Sequence, residues 1–187
     1  MTGRFTLVAA GLDVAPAVRE IDSQPWLWNQ RSDRRGADSP HRETSDLWLR
    51  YASAEAMREP GFATRPHQSV AWPAWWNLPE TVHLVGQIGQ ALGGNLELGG
   101  VLMTRIAPGR QVYPHHDRGS WHAEYYTTKV WLPLRANPLC MNGVEDEEMV
   151  WRPGDAWSHD NLITHWVRNE GHTDRIVLIS CFRRVAP

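Results

Sequence analysis

The second half of the chain is a succession of short apolar runs separated by turn residues at intervals of roughly 8–12 residues, and this pattern constrains the fold most strongly. From Gly94 onward, the runs LELGGVLMTRIA, QVYPHHD, TKVWLPLRA, LCMNGVEDEEMVWR and DRIVLISCF each have the composition of a β-strand or a hairpin. Turn signals occur at PGR, at Asn142-Gly143 and at Pro153-Gly154. The pattern predicts an antiparallel β-barrel or jelly roll.

The residues before this β-rich region predict helices and irregular segments. A short helix is expected around Val14–Ile21, and Asp46–Tyr51 predicts a short strand. The clearest helix is NLPETVHLVGQIGQALGG, in which Asn77 and Glu80 match a capping box and Gly93-Gly94 supplies the stop.

These elements together predict a mainly β protein of the α+β kind. We expect one domain over residues 1–187, in which a helical and irregular part over 1–97 packs on a β-core over 98–187.

Charge and cysteine content limit the partners and the compartment. A formal net charge of −2 offers no basic excess, so we expect neither a nucleic-acid nor a membrane partner. The N-terminal stretch lacks a signal-peptide pattern. Cys140 and Cys181 are too few for a disulfide framework, which favours a reduced, cytoplasmic setting. The oligomeric state is not readable from the sequence.

The stretch YPHHDRGSWH predicts a metal site. In an extended chain residues i and i+2 point the same way, so His115 and Asp117 face together and His116 faces the other side. One distant histidine would complete a facial triad of two histidines and one carboxylate, which leaves coordination positions open for oxygen chemistry. A second His-x-Asp pair, His172 and Asp174, lies in a turn-like stretch, and we interpret it as a solvated loop.

Several downstream residues are candidates for the rest of the site. The third metal ligand could be His122, His159, His165 or His172. Arg175 opens the last predicted strand, and a buried arginine near a metal suits a dicarboxylate co-substrate, because its planar fork grips a carboxylate in two places.

Ordered landmarks over about residues 98–182 make this interpretation more specific. They are the PG turn before the HxD strand, the run KVWLPLRANPLCMNG, the W-x-P-G-x-x-W turn, the distal H-x-V-x-N and the R-I-x-L strand. In this order they resemble the aspartyl/asparaginyl β-hydroxylase family of Fe(II)- and 2-oxoglutarate-dependent dioxygenases. The resemblance implies a double-stranded β-helix core of the jelly-roll or cupin-like type. Residues 1–97 match only through Asp46–Arg50, and we expect them to determine substrate choice.

The resemblance also implies residue roles. His115, Asp117 and His165 match the family's metal ligands, and Arg175 matches the arginine that binds the far carboxylate of 2-oxoglutarate. Lys129 stands where the family commonly has an arginine that assists co-substrate binding, and Trp131 stands where some members have histidine. Further expectations are pocket walls at Trp121, Trp131, Trp157 and Trp166, a brace at Asn169, and a substrate contact at His122.

The implied activity consumes O2 and 2-oxoglutarate, releases succinate and CO2, and hydroxylates an unactivated C–H bond. The family expectation is β-hydroxylation of an Asp- or Asn-like group, in a small-molecule or peptide substrate. Two alternatives remain at this stage. One is a cupin-like metalloenzyme that does not use 2-oxoglutarate, and the other is a non-enzymatic, tryptophan-rich binding barrel.

Overall fold

Antiparallel β-strands form the body of the protein, with helices on one side. The computed structural model describes residues 3–32, 34–66 and 68–186, and the side chains of Trp121 and His122 lie outside this description. The helices are α1 (Ala15–Asp22), α2 (Pro73–Asn77), α3 (Pro79–Leu92) and α4 (Trp121–Glu124). The strands are β1 (Thr6–Ala9), β2 (Thr44–Tyr51), β3 (Val70–Ala71), β4 (Leu96–Ile106), β5 (Arg110–His115), β6 (Thr128–Arg135), β7 (Cys140–Val144), β8 (Glu147–Val150), β9 (Ala156–Ser158), β10 (His165–Asn169) and β11 (Arg175–Arg184).

The strands are divided between two sheets. The larger sheet has the order β1-β9-β6-β11-β4-β2-β3, and the smaller has the order β5-β10-β7-β8. The strand pairs are antiparallel, and non-consecutive strands lie side by side, as in a jelly roll. The predicted mainly β, double-stranded β-helix fold is confirmed.

The larger sheet is buried on both faces, and alternate residues of its strands serve different layers. On β6, Val130, Leu132 and Leu134 belong to the core under the helices, together with residues of α1, α2 and α3. Trp131 points the other way and packs with Val144 of the smaller sheet. Alternation along β6 therefore separates a helix-facing core from the space between the two sheets, where the candidate site lies.

Helix α3 begins close to the predicted position, but its N-terminal cap differs from the prediction. Leu78 is the N-cap residue, and no side chain of α3's own flank caps it. The carboxylate of Glu20 on α1 accepts hydrogen bonds from the backbone N–H groups of Glu80 and Thr81 at 2.9 and 3.0 Å. The predicted capping box of Asn77 and Glu80 was wrong, because the neighbouring helix α1 supplies the hydrogen-bond acceptor, the Glu20 carboxylate. The Gly93-Gly94 stop is confirmed, with φ of +64° and +78°.

The predicted turn at Asn142-Gly143 was also wrong. Both residues lie inside β7, where Gly143 pairs with Trp166 of β10. The hairpin turns two residues later, and Glu145 adopts φ +51° there. A Cβ on Gly143 would lie 2.1 Å from the Trp166 ring, so the glycine permits a close approach within the sheet and not a turn.

The N-terminal residues contribute strands to the larger sheet. β1 pairs with β9, and Phe5, directly before β1, is buried between the sheets. The prediction placed no strand there. Cys140 and Cys181 are both free and buried. Within the part of the chain that the structure describes, no helix is long and apolar enough to cross a membrane.

Candidate metal centre and its cavity

Two histidines on neighbouring strands of the smaller sheet form the base of the site. His115 at the end of β5 and His165 at the start of β10 are directly paired in the antiparallel register, and their ring centroids are 4.3 Å apart. Residues paired across strands project to the same face, so both imidazoles enter the space between the sheets.

Asp117 completes a cluster of three potential ligands two residues past His115. One ligand atom each from His115, Asp117 and His165 can be chosen so that all three lie within 4.8 Å of one another. The backbone N–H of Asp117 donates to the Asn161 carbonyl at 2.9 Å, which ties the chain after β5 to the loop before β10. Residues that are distant in sequence therefore meet because two strand ends and one loop converge.

The carboxylate of Asp117 is held from one side. Its Oδ2 accepts hydrogen bonds from Lys129 Nζ at 2.6 Å and from Asn161 Nδ2 at 2.9 Å, while its Oδ1 lies 3.6 Å from His115 Nε2. Burial alone would raise the pKa of Asp117, but the charge of Lys129 and these hydrogen bonds hold it well below its usual range. The group is thus an anion with one oxygen committed and one available to a metal.

Both imidazoles are oriented with the same nitrogen free. Nδ1 of His115 donates to the Tyr113 carbonyl at 2.8 Å, and Nδ1 of His165 donates to the Ile163 carbonyl at 3.0 Å. Each Nε2 is therefore left with its lone pair, which is the form that binds metals. Burial, followed by the charge of His115, lowers the pKa of His165 to about 4, so the ring is neutral near pH 7. Two neutral imidazoles and a carboxylate fit an Fe(II) ion with open coordination positions.

A cavity extends from these histidines to Arg175. The Arg175 side chain is 2% exposed and donates from Nη2 to Asn142 Oδ1 at 2.7 Å. Burial lowers the pKa of Arg175 to about 10, which leaves it cationic near pH 7. Within the described part of the chain, no carboxylate pairs with Arg175. A buried, uncompensated guanidinium at the wall of a cavity favours an anionic ligand.

Lys129 and Trp131 both line this cavity, but their contacts differ. Lys129 is committed to Asp117 through its ion pair, whereas Trp131 stacks on His159 with ring centroids 4.0 Å apart and planes inclined by 12°. Burial, followed by the charge of His165, lowers the pKa of His159 to about 2. His159 is not part of the three-residue cluster. The co-substrate contacts of Lys129 and Trp131 stay predictions.

A second cavity is lined by Asp117 and Lys129. Trp48 and Tyr51 of β2 line it, and their rings contact each other at a centroid distance of 4.5 Å. The Asp46–Arg50 stretch thus brings an N-terminal side chain, Trp48, beside the candidate metal cluster. This placement is compatible with a role of the N-terminal part in substrate choice, which stays a prediction.

The remaining predicted residues divide into three groups. His116 is exposed, as the alternation predicts, and His172 is exposed in the loop before β11. Trp166 lines the first cavity, whereas Trp157 stacks on Trp151 outside it. Trp121 and His122 were predicted to line the pocket and to contact substrate, and their side chains lie outside the part of the chain that the structure describes.

Asn169 braces the end of β10, as predicted. Its Nδ2 donates to the carbonyls of Ile106 at 2.9 Å and Thr173 at 2.8 Å, which fixes the loop that leads to Arg175.

Sequence reasoning missed several residues that shape the site. Asn142 orients Arg175 but was interpreted as part of a turn, and Asn161 bonds Asp117 although it lies in a polar loop without a motif.

Arg34 and His41 line both cavities and bond each other at 2.8 Å, and burial holds the pKa of His41 well below its usual range. No periodic pattern identifies these two, because they come from an irregular loop. Trp151 also lines the first cavity, and its place in the W-x-P-G-x-x-W stretch is a sequence signal that could have identified it.

The sequence profile of the family described as Aspartyl/Asparaginyl beta-hydroxylase matches residues 68–185. Among curated protein sequences, none matches this chain.

Solved structures share the fold at low sequence identity. A Pseudomonas putida prolyl-4-hydroxylase has a TM-score of 0.54 at 17% identity, over 99% of this chain and 95% of that chain. The viral collagen prolyl hydroxylase of Paramecium Bursaria Chlorella virus-1, in its 2-oxoglutarate complex, has a TM-score of 0.53 at 9% identity, over 98% and 97%. A Burkholderia pseudomallei oxidoreductase of the 2OG-Fe(II) oxygenase family has a TM-score of 0.54 at 14% identity, over 79% and 75%. At these identities the likeness shows the fold alone.

Proposed function

The chain belongs to the aspartyl/asparaginyl β-hydroxylase family, and from this we propose that it is an Fe(II)- and 2-oxoglutarate-dependent dioxygenase that hydroxylates an unactivated C–H bond. The observation that carries the proposal is the cavity that joins two kinds of site. One end holds two neutral imidazoles and a carboxylate, and the other holds a buried arginine with no carboxylate partner in the described residues.

The metal end would be supplied by His115, Asp117 and His165. When bound there, Fe(II) supplies the activation of dioxygen that is coupled to decarboxylation of 2-oxoglutarate. The carbonyls of Tyr113 and Ile163 fix the two rings, so that little reorganisation is needed on metal binding.

The co-substrate end would be supplied by Arg175. Its guanidinium binds the far carboxylate of 2-oxoglutarate, and Asn142 holds the guanidinium in place. Trp131, Trp151 and Trp166 line the cavity and exclude water from the bound co-substrate. Lys129 contributes mainly through Asp117, whose charge and orientation it fixes.

For the substrate, we propose an amino-acid side chain of a small molecule or peptide, with β-hydroxylation of an Asp- or Asn-like group as the first candidate. The second cavity, beside Asp117 and under Trp48, supports this assignment by its position next to the metal cluster.

The test is a screen of amino acids and peptides for substrate-stimulated conversion of labelled 2-oxoglutarate to succinate, with Fe(II) present. We expect iron-dependent succinate formation by the wild type and none by His165→Ala. Turnover that requires the metal but not 2-oxoglutarate would instead identify a different cupin-like metalloenzyme.

A further inference from the structure

His159 is a half-buried residue whose two ring nitrogens are themselves buried and lack a hydrogen-bond partner among the described residues. It follows β9 directly, and its ring lies flat on Trp131 and edge-on to Phe5 at 5.8 Å. Buried polar groups are nearly always satisfied, since each unsatisfied one costs about 1–3 kcal/mol. A ring that is fixed by stacking and lacks hydrogen-bond partners indicates a ligand that supplies the missing hydrogen bond.

The cavity around His159 contains other polar side chains, and most of these already have partners. Lys129 is bonded to Asp117, and Nδ1 of both His115 and His165 is bonded to a backbone carbonyl. Asn142 bonds Arg175 and the Met149 carbonyl. His159 is therefore one of the polar groups in this cavity that remain available to a bound molecule.

The position of His159 identifies which part of a ligand it would meet. Its ring centroid is 5.1 Å from that of His165, which places it beside one of the rings that would hold the metal. His159 lines the cavity that contains Arg175, and it does not line the second cavity near Trp48. His159 also lines a more open surface pocket with Thr127 and Asn161. In the cavity that it shares with Arg175, its contact would be with the molecule that also reaches Arg175.

We propose that His159 donates a hydrogen bond to the 2-oxo-acid end of 2-oxoglutarate, while Arg175 binds its far carboxylate. The inference rests on the proposed function and assigns a positioning residue to it. A neutral imidazole carries one N–H donor, and a carboxylate at the metal offers it an acceptor. Trp131 fixes the direction of this donor by stacking on the ring.

The test compares two substitutions at this position by equilibrium titration of 2-oxoglutarate into oxygen-free, Fe(II)-loaded protein. His159→Phe keeps the stacked ring and removes both nitrogens, and His159→Gln keeps a side-chain donor. Since a hydrogen bond to a charged group is lost, we expect the Kd of His159→Phe to rise roughly 10- to 100-fold, with partial recovery in His159→Gln. His116→Phe, at an exposed position, is the matched control and should bind as the wild type does.

Each outcome has a distinct meaning. An unchanged Kd in both variants at position 159 overturns the inference, and so does a loss of Fe(II) binding in His159→Phe, since that would make His159 a metal ligand. If His159→Phe does not fold, the Kd of His159→Ala decides in its place. A wild type that binds Fe(II) but not 2-oxoglutarate overturns the proposed function itself, and the inference with it.

Discussion

His115 and His165 lie directly opposite each other on β5 and β10, with ring centroids 4.3 Å apart and each Nδ1 bonded to the carbonyl two residues before it. This pairing makes the candidate metal site a property of strand register. A shift of one residue between β5 and β10 would turn one imidazole away from the cavity.

Loss of one paired histidine is expected to abolish metal binding. In His165→Ala only His115 and Asp117 remain, and two ligands do not hold Fe(II) tightly. We expect the bound iron, measured after desalting, to fall from about one per chain to background. His116→Ala removes a neighbouring exposed histidine and should retain full occupancy. Equal iron content in the two variants would contradict the assignment.

The metal-free protein is expected to lose stability as the pH falls through the range below neutrality. Burial lowers the pKa of His165 to about 4 and that of His159 to about 2, and it also lowers the pKa of His115. Below the ordinary histidine pKa of about 6.5 the unfolded chain takes up protons that the folded chain does not, so unfolding becomes easier.

Urea denaturation of the metal-free protein measures this effect. His165 and His159, whose pKa values fall to about 4 and about 2, each contribute on the order of 2 kcal/mol of lost unfolding free energy between about pH 6.5 and pH 5. His159→Phe should show a shallower dependence than the wild type, because it removes one of these groups. A stability that is flat over this range would show that the rings are not buried as neutral groups.

Gly143 is expected to tolerate no side chain. A Cβ there would lie 2.1 Å from the Trp166 ring, so Gly143→Ala must displace Trp166 or separate β7 from β10. We expect a loss of about 1–3 kcal/mol in unfolding free energy, from urea denaturation. Gly86→Ala, where nothing lies within 4 Å on helix α3, should instead stabilise by about 0.5–1 kcal/mol. Similar effects of both substitutions would argue against the close strand packing.

Glu20 is expected to stabilise helix α3 from outside the helix. Its carboxylate accepts from the backbone of Glu80 and Thr81 and from the Thr81 hydroxyl at 3.0 Å. Glu20→Ala should therefore cost about 1–2 kcal/mol, as the loss of a helix cap does. Asn77→Ala should change the unfolding free energy by less than about 0.5 kcal/mol, because its exposed side chain is not the cap. A larger loss of unfolding free energy in Asn77→Ala than in Glu20→Ala would instead support the capping box of Asn77 and Glu80.

Local pattern predicted helix α3 and most strands of the second half, because periodicity and turn residues act over a few neighbours. It did not predict β9 or β10, which are only three and five residues long. It also placed His115 and Asp117 on one side and His116 on the other. The same local reasoning failed where the decisive contact is distant in sequence. Asn142-Gly143 was predicted to be a turn because Asn-Gly pairs often form one. Instead, Gly143 lies within β7 and leaves room for the ring of Trp166 from β10.

The N-terminal cap of α3 and the loop residues of the site could not be predicted for the same reason. Glu20 lies 61 residues before Thr81, and Asn161 lies 44 residues after Asp117. No period or motif links such pairs. His165 was one of four candidate ligands on the basis of the residues alone, and the resemblance of ordered landmarks was needed to select it. The structure then places it opposite His115.

The most direct measurement for the proposed dioxygenase is the calorimetric titration of 2-oxoglutarate into oxygen-free protein, with and without Fe(II), beside the same titration into Arg175→Met. We predict saturable binding at one molecule per chain that requires the metal. Loss of a buried, charge-assisted carboxylate contact should weaken this binding roughly 100-fold in the variant. An iron-loaded wild type that binds no 2-oxoglutarate, or an Arg175→Met variant that binds it equally well, would contradict the assignment.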